Sequence, residues 1–296
     1  MPIFKKLIFA PFFLIAFSLL IYQLNPLLQS YDIIFSLSTF TLIQLIIIAA
    51  LISLSGFLFV LFATLAGDWR FSLPVGAVAS AIPLIFMEKS LGLVFTVGIL
   101  ISVLLVSLTL DSALKSYLNF QPASLLGPFI RRLSMMLILA FCIIYFFSSN
   151  KLIVQNGFEI PDSLIDTALK MVPLPAEQTQ LPNISPDQIA MLKKNPDLVR
   201  QSGLDPKILD SLDQPQNSAN NLIKQTVKDQ VQNFIKPYAS FIPAILAVLL
   251  FLTLQSLTSF LNLLIYPLLW FAFLILEKTG FTKYETEMRE VKKLVV

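Results

Sequence analysis

The chain has 296 residues, of which 56% are hydrophobic and only 13% charged, with a formal net charge of +3 and a mean hydropathy of +0.79. Soluble globular domains carry about a quarter charged residues, so this composition sets a soluble fold aside. The small positive charge is spread over loops and termini and makes no nucleic-acid footprint.

Two residue counts narrow the chemistry further. The sequence holds no histidine, which removes His-based zinc sites, Ser-His-Asp and Cys-His catalysis and haem ligation by His. It holds one cysteine, Cys142, inside an apolar run. A single cysteine forms no internal disulfide, and here it reads as a small packing residue. Neither a glycine-rich phosphate loop nor an HExxH pair is present. The expected chain is a non-enzymatic integral membrane protein without metal or cofactor.

In chain order, Lys5 and Lys6 precede an apolar run over residues 7–22. It lacks a small-x-small cleavage site beyond it and reads as a retained first span. A connection containing Pro26 and Asp32 leads into a second span, 41–66, long enough to cross about 30 Å of hydrocarbon. Gly67-Asp68-Trp69-Arg70 reads as an interfacial turn with Trp69 at headgroup level. The third run, 71–87, is short and interrupted by Pro74 and Pro83. Its pairs Gly76/Ser80 and Ala77/Ala81 have small-xxx-small spacing, which lets another helix approach closely. The same pattern suits a broken or re-entrant element lining a solute pathway.

A clean fourth span follows at 91–110. Asp111–Arg132 is expected as a loop lying partly in the interface, because Pro122, Gly127 and Pro128 interrupt its helical pattern. The fifth span is 133–147. Ser53-Leu54-Ser55-Gly56 lies within the second span, where its hydroxyls either support packing or coordinate an ion.

Residues 148–236 are the polar exception, with nine basic and ten acidic side chains over Ser149–Lys236. Three triplets, Ser185-Pro186-Asp187, Asn195-Pro196-Asp197 and Asp205-Pro206-Lys207, recur every ten residues. Each places a capping side chain before a proline suited to the first helical position. Three short helices are predicted, sharing an apolar seam that includes Ile189, Leu192, Val199, Ile208, Leu209 and Leu212. The seam is either a private core or a groove for a partner segment.

Residues 237–276 are expected to form a transmembrane hairpin, with runs at 238–254 and 261–276 joined at Gln255–Ser259. The tail, 277–296, is amphipathic. The predicted architecture is thus an all-α polytopic bundle of about seven spans, within a range of six to eight, carrying one helical soluble insert.

Seven spans place the termini on opposite sides. That creates a conflict, since Lys5, Lys6, Arg70, Lys115, Arg131 and Arg132 call for a cytoplasmic N-terminus, whereas Lys278, Lys283, Arg289, Lys292 and Lys293 then face outward. The expected setting is the cytoplasmic membrane of a prokaryote with the insert outside. The leading functional expectation is a scaffold that meets protein partners, or further copies of itself, through insert or tail. The alternative is a transporter or channel for a neutral or hydrophobic solute.

Overall fold

The computed structural model describes residues 6–31, 39–117, 120–158, 165, 228, 230–233 and 235–282. Among these the fold is all helical. Six helical stretches are long and apolar enough to span a membrane. They are α1 (Ala10–Leu24), extended by a 3-10 turn at Asn25–Leu28; α2 (Thr39–Ala66); α3 (Trp69–Ala81), continued by the short turn Pro83–Phe86; α4 (Lys89–Ser116); α5 (Pro122–Asn156); and α6 (Ile242–Lys278), preceded by a 3-10 turn at Lys236–Phe241.

By backbone packing the chain divides into two units. The first comprises Met1–Tyr31, Ser38–Ser149 and Ala244–Val296; the second comprises Asp32–Leu37 and Asn150–Pro243. In the second, the Gln232 side-chain amide donates to the carbonyl of Phe158. The first unit is the helical bundle.

The connections in the bundle follow from local chemistry. Gly67 closes α2 at φ +66°, a left-handed conformation that costs glycine nothing, and its N–H donates to Ala63 O at 3.2 Å. Asp68 then caps α3 by accepting the Arg70 N–H at 3.0 Å. α3 bends where Pro83 supplies no N–H, and Ile82 and Ile85 make tighter i,i+3 bonds around it. The whole stretch Trp69–Phe86 is 18 residues, about 27 Å at 1.5 Å per residue. The short third run therefore has the length and hydropathy of a crossing, with a kink.

Two sequence expectations need correction. Residues 238–276 do not form a hairpin, because α6 is one helix of 37 residues. Gln255–Ser259 contains neither glycine nor proline. The hydroxyls of Thr253 and Thr258 fold back onto the carbonyls of Leu249 and Leu254 within their own helix, as helical Ser and Thr side chains commonly do. Likewise, most of Asp111–Arg132 is helix rather than loop. α4 runs on to Ser116, supported by the Asp111–Lys115 i,i+4 ion pair at 2.6 Å. α5 starts at Pro122, where a proline's missing N–H is harmless, and carries Pro128 inside its early turns.

Glycines mark where the helices meet. A methyl added at Gly76 of α3 would lie 2.2 Å from Val103 Cγ1 of α4, and one at Gly98 of α4 would lie 2.9 Å from Ala140 Cβ of α5. A methyl on Gly56 of α2 would meet Ser134 Oγ of α5 at 3.0 Å, and one on Gly127 of α5 would meet the Tyr266 ring of α6 at 2.8 Å. Aromatic pairs fill the same core: Phe13–Phe59 between α1 and α2 at 5.2 Å, and Phe95–Phe141 between α4 and α5 at 6.2 Å.

The two ends of the bundle are identified by contacts. At one end, Phe9 stands edge-on to Phe281 at 6.5 Å, and Lys6 Nζ lies 4.9 Å from the centre of the Phe71 ring. The start of α1, the start of α3 and the exit from α6 therefore share that end. At the other end, Ser148 Oγ donates to Leu28 O at 2.6 Å, and Tyr22 meets Phe86 edge-on at 6.3 Å. The residues Gly127, Arg131 and Tyr266, together with the Phe120–Phe273 pair at 5.2 Å, set α5 and α6 antiparallel.

Candidate functional site: a buried hydroxyl seam beside close helix crossings

The predicted partner-binding residues Ile189, Leu192, Val199, Ile208, Leu209 and Leu212 lie outside the described residues. So do the three capping triplets and the tail beyond Thr282. What the structure places are the small residues of α3 and the polar residues inside the spans.

Of the α3 small residues, Gly76 and Ser80 are buried while Ala77 and Ala81 are exposed. A pair spaced by four keeps one helix face, and the neighbouring pair is turned by about 100° per residue. Only the first pair faces into the bundle. Ser80 Oγ donates to Ala77 O at 2.7 Å, so its hydroxyl is satisfied within α3 and adds no polarity to the crossing.

Ser53 and Ser55 of α2 are buried, at 5% and 0% exposure, while Leu54 between them is exposed. Opposite Gly56 stands Ser134 of α5, 1% exposed. The hydroxyls of Ser53, Ser55 and Ser134 make no hydrogen bond in the structure, and neither do the Asn262 and Gln255 side-chain oxygens of α6. An unsatisfied hydroxyl in an apolar interior costs roughly 1–3 kcal/mol by protein mutational measures. Only Ser134 is placed beside Gly56, so the set is a scatter of separate unsatisfied atoms on α2, α5 and α6. It contains no carboxylate, thiol or imidazole, so it offers no general base and no nucleophile activated by one. Among the described residues no three His, Cys, Asp or Glu side chains are grouped to hold a metal ion.

A second polar pocket lies where α2 hands over to α3. Asp68, Ser72, Ser107 and Asp111 line a space of about 10 Å³, the size of a single water. The Ser72 hydroxyl donates to Trp69 O, and Asp111 accepts from Lys115. Ser107, 2% exposed, has no partner.

Sequence reasoning marks Ser53–Gly56 and Gln255, but not Ser134 or Ser107. Neither sits in a motif. Ser134 follows Arg131-Arg132, which drew attention to the membrane boundary rather than to the inward face. Comparison of the chain with protein-family models, with curated proteins and with solved structures gives no match.

Proposed function

We propose that the chain is a membrane-embedded scaffold that presents its polar segment, residues 148–236, to protein partners. The observation that supports this most is how the hydrophilic sequence is distributed. α2–α3, α3–α4 and α4–α5 are joined by connections of a few residues, whereas the segment between α5 and α6 is domain-sized. No catalytic constellation accompanies it among the described residues. The bundle then serves as an anchor, and recognition belongs to the insert.

Orientation is part of the same proposal. Lys6, Arg70, Lys115, Arg131, Arg132 and Lys278 belong to the end where α1 begins and α6 finishes. Short loops rich in Lys and Arg stay in the cytoplasm. With six crossings the tail cations join them, and the conflict created by seven crossings disappears. The insert then lies outside a prokaryotic cytoplasmic membrane. Its nine basic residues do not oppose this, because segments longer than about 60 residues translocate largely regardless of charge.

The test is deletion of residues 185–213 from the full chain. The spans still assemble, and partner proteins recovered with the intact chain after mild cross-linking are lost. Unchanged recovery would contradict the proposal.

A second reading, passage of a neutral solute, draws on the unsatisfied hydroxyls of Ser53, Ser55 and Ser134. The close approaches at Gly56 and Gly76 oppose it, since neither leaves room for even a methyl group without movement of its neighbour.

A further inference from the structure

The end of α2, the start of α3 and the last turns of α4 border a space of about 10 Å³, room for one water-sized atom. Two Asp/Ser pairs line it, each four residues apart: Asp68 with Ser72, and Ser107 with Asp111. Leu110 and Leu114 line it as well, so the α4 residues recur at helical spacing and share one face. Helical side chains lean toward the start of their helix, which carries Asp111 back over Ser107 and Ser72 back over Asp68.

The chemistry of this lining is one-sided. It holds two carboxylates, two hydroxyls and no basic side chain. Ser107 is 2% exposed, and its Oγ has no hydrogen-bond partner. The Ser72 hydroxyl donates its proton to Trp69 O, so its oxygen has only lone pairs to offer. Asp68 Oδ1 accepts the Arg70 N–H, and Asp111 Oδ2 accepts from Lys115 at 2.6 Å. The other oxygen of each carboxylate has no partner among the described residues. The Asp111 side chain is 14% exposed against 69% for Lys115, so the ammonium approaches from outside and neutralises one carboxylate of the two. α2 ends and α3 begins here, so their helix-end charges oppose each other. A net negative charge and a set of oxygen donors remain around an atom-sized space. A water would satisfy Ser107 and leave the charge; hard cations take oxygen ligands of this kind.

We propose that this pocket binds one divalent cation, magnesium or calcium, through Asp68, Ser72, Ser107 and Asp111, with water completing the coordination from its open side. The ion ties the α2–α3 connection to the end of α4. Two carboxylates make a weak site, with an expected dissociation constant on the order of 10⁻⁴–10⁻³ M. This goes beyond the scaffold reading and stands without it, since the pocket belongs to the anchor and not to the insert.

The experiment uses the full chain in neutral detergent, freed of metal with EDTA and exchanged into metal-free buffer. It is melted over a range of magnesium chloride or calcium chloride, with sodium chloride at matched ionic strength as the reference. The wild-type melting temperature climbs with the logarithm of divalent-ion concentration above the dissociation constant, and does not climb with sodium chloride. Asp68→Asn keeps a capping side chain for α3. Combined with Asp111→Asn, it raises the apparent dissociation constant about tenfold or more. Ser107→Ala also raises it, although loss of a buried, unpartnered hydroxyl would by itself leave the melt unchanged or improved. Lys115→Gln removes the competing ammonium and lowers it. Glu277→Gln, an exposed acid on α6, leaves it unchanged and so separates a local site from general charge.

A melt that responds to the divalent salts no more than to sodium chloride would overturn the proposal and leave the pocket to an ordered water. An undiminished divalent response in Asp68→Asn/Asp111→Asn, or in Ser107→Ala, would overturn it as well.

Discussion

Individual residues bear on this bundle mainly through the distance at which two helices cross. Gly76 is the most constrained, because a Cβ there would sit 2.2 Å from a methyl of Val103. Gly76→Ala is expected to destabilise the purified protein by about 1–3 kcal/mol, the usual cost of overpacking. Val103→Ala in the same chain should return part of that loss, giving a coupling that a thermal-melt double-mutant cycle would detect. Additive losses would show that the two residues do not share the crossing. Ser148 makes a different kind of contact, donating from a buried hydroxyl to Leu28 O at 2.6 Å. Ser148→Ala leaves that carbonyl unpaired and should cost about 1–2 kcal/mol, read as a lower melting temperature. An unchanged melt would show that the bond contributes nothing net.

The sequence was partly legible at this scale. Spacing alone singled out Gly76/Ser80 and Ala77/Ala81 equally, since both pairs are small and four apart. Which one faces the neighbour depends on the rotation of α3, and that is set by its packing on α4. The buried state of Ser134 was hidden for a related reason. A serine between Leu133 and Met135 carries no sign of which helix face points inward.

At the scale of elements, the first five predicted runs overlap α1 to α5, the fifth covering under half of its helix, and the last two share one helix. Gln255–Ser259 lowers local hydropathy enough to resemble a turn, yet the Thr258 hydroxyl bonds within the helix and the backbone continues. A proline distinguishes the two possibilities. In the interior of a continuous helix Leu257→Pro removes a backbone hydrogen bond and clashes with the preceding turn, at a cost of roughly 3 kcal/mol or more. In a turn it would be tolerated. Leu257→Pro is therefore expected to reduce the amount of folded protein recovered from membranes severely, whereas recovery at the wild-type level would restore the hairpin. The loop expected at Asp111–Arg132 failed similarly. Three helix-breaking residues were read as ending a helix, but Pro122 starts one and Pro128 is accommodated early within it. The caps predicted around Pro186, Pro196 and Pro206 lie outside the described residues, and the short helices they imply remain a sequence expectation.

For the whole molecule, composition was enough to identify a polytopic helical membrane protein, and the helices bear this out. The number of crossings was less accessible, because one added turn reverses the side of everything after it. Six crossings bring the start of α1 and the exit from α6 to one end, which also carries Lys6, Arg70, Lys115 and Lys278. On the proposed orientation this end carries most of the bundle's cations, which seven crossings did not allow. On the proposed scaffold reading, residues 148–236 are the part that meets partners. The anchor and the display segment should then be separable. Removing residues 185–213 is expected to abolish partner capture while leaving the thermal melt of the purified bundle intact, and loss of both together would mean that the deletion had damaged the bundle.

The most direct measurement is a sidedness map. The native thiol is buried within α5, so a Cys142→Ala background permits single cysteines to be introduced near the N-terminus, at Ser218 in the polar segment and at Lys292 in the tail. Labelling of intact cells with a membrane-impermeant maleimide should reach the Ser218→Cys variant alone, with the two terminal positions labelled only after the membrane is opened. Labelling of the tail in intact cells while the N-terminus stays protected would restore an odd number of crossings and contradict the account.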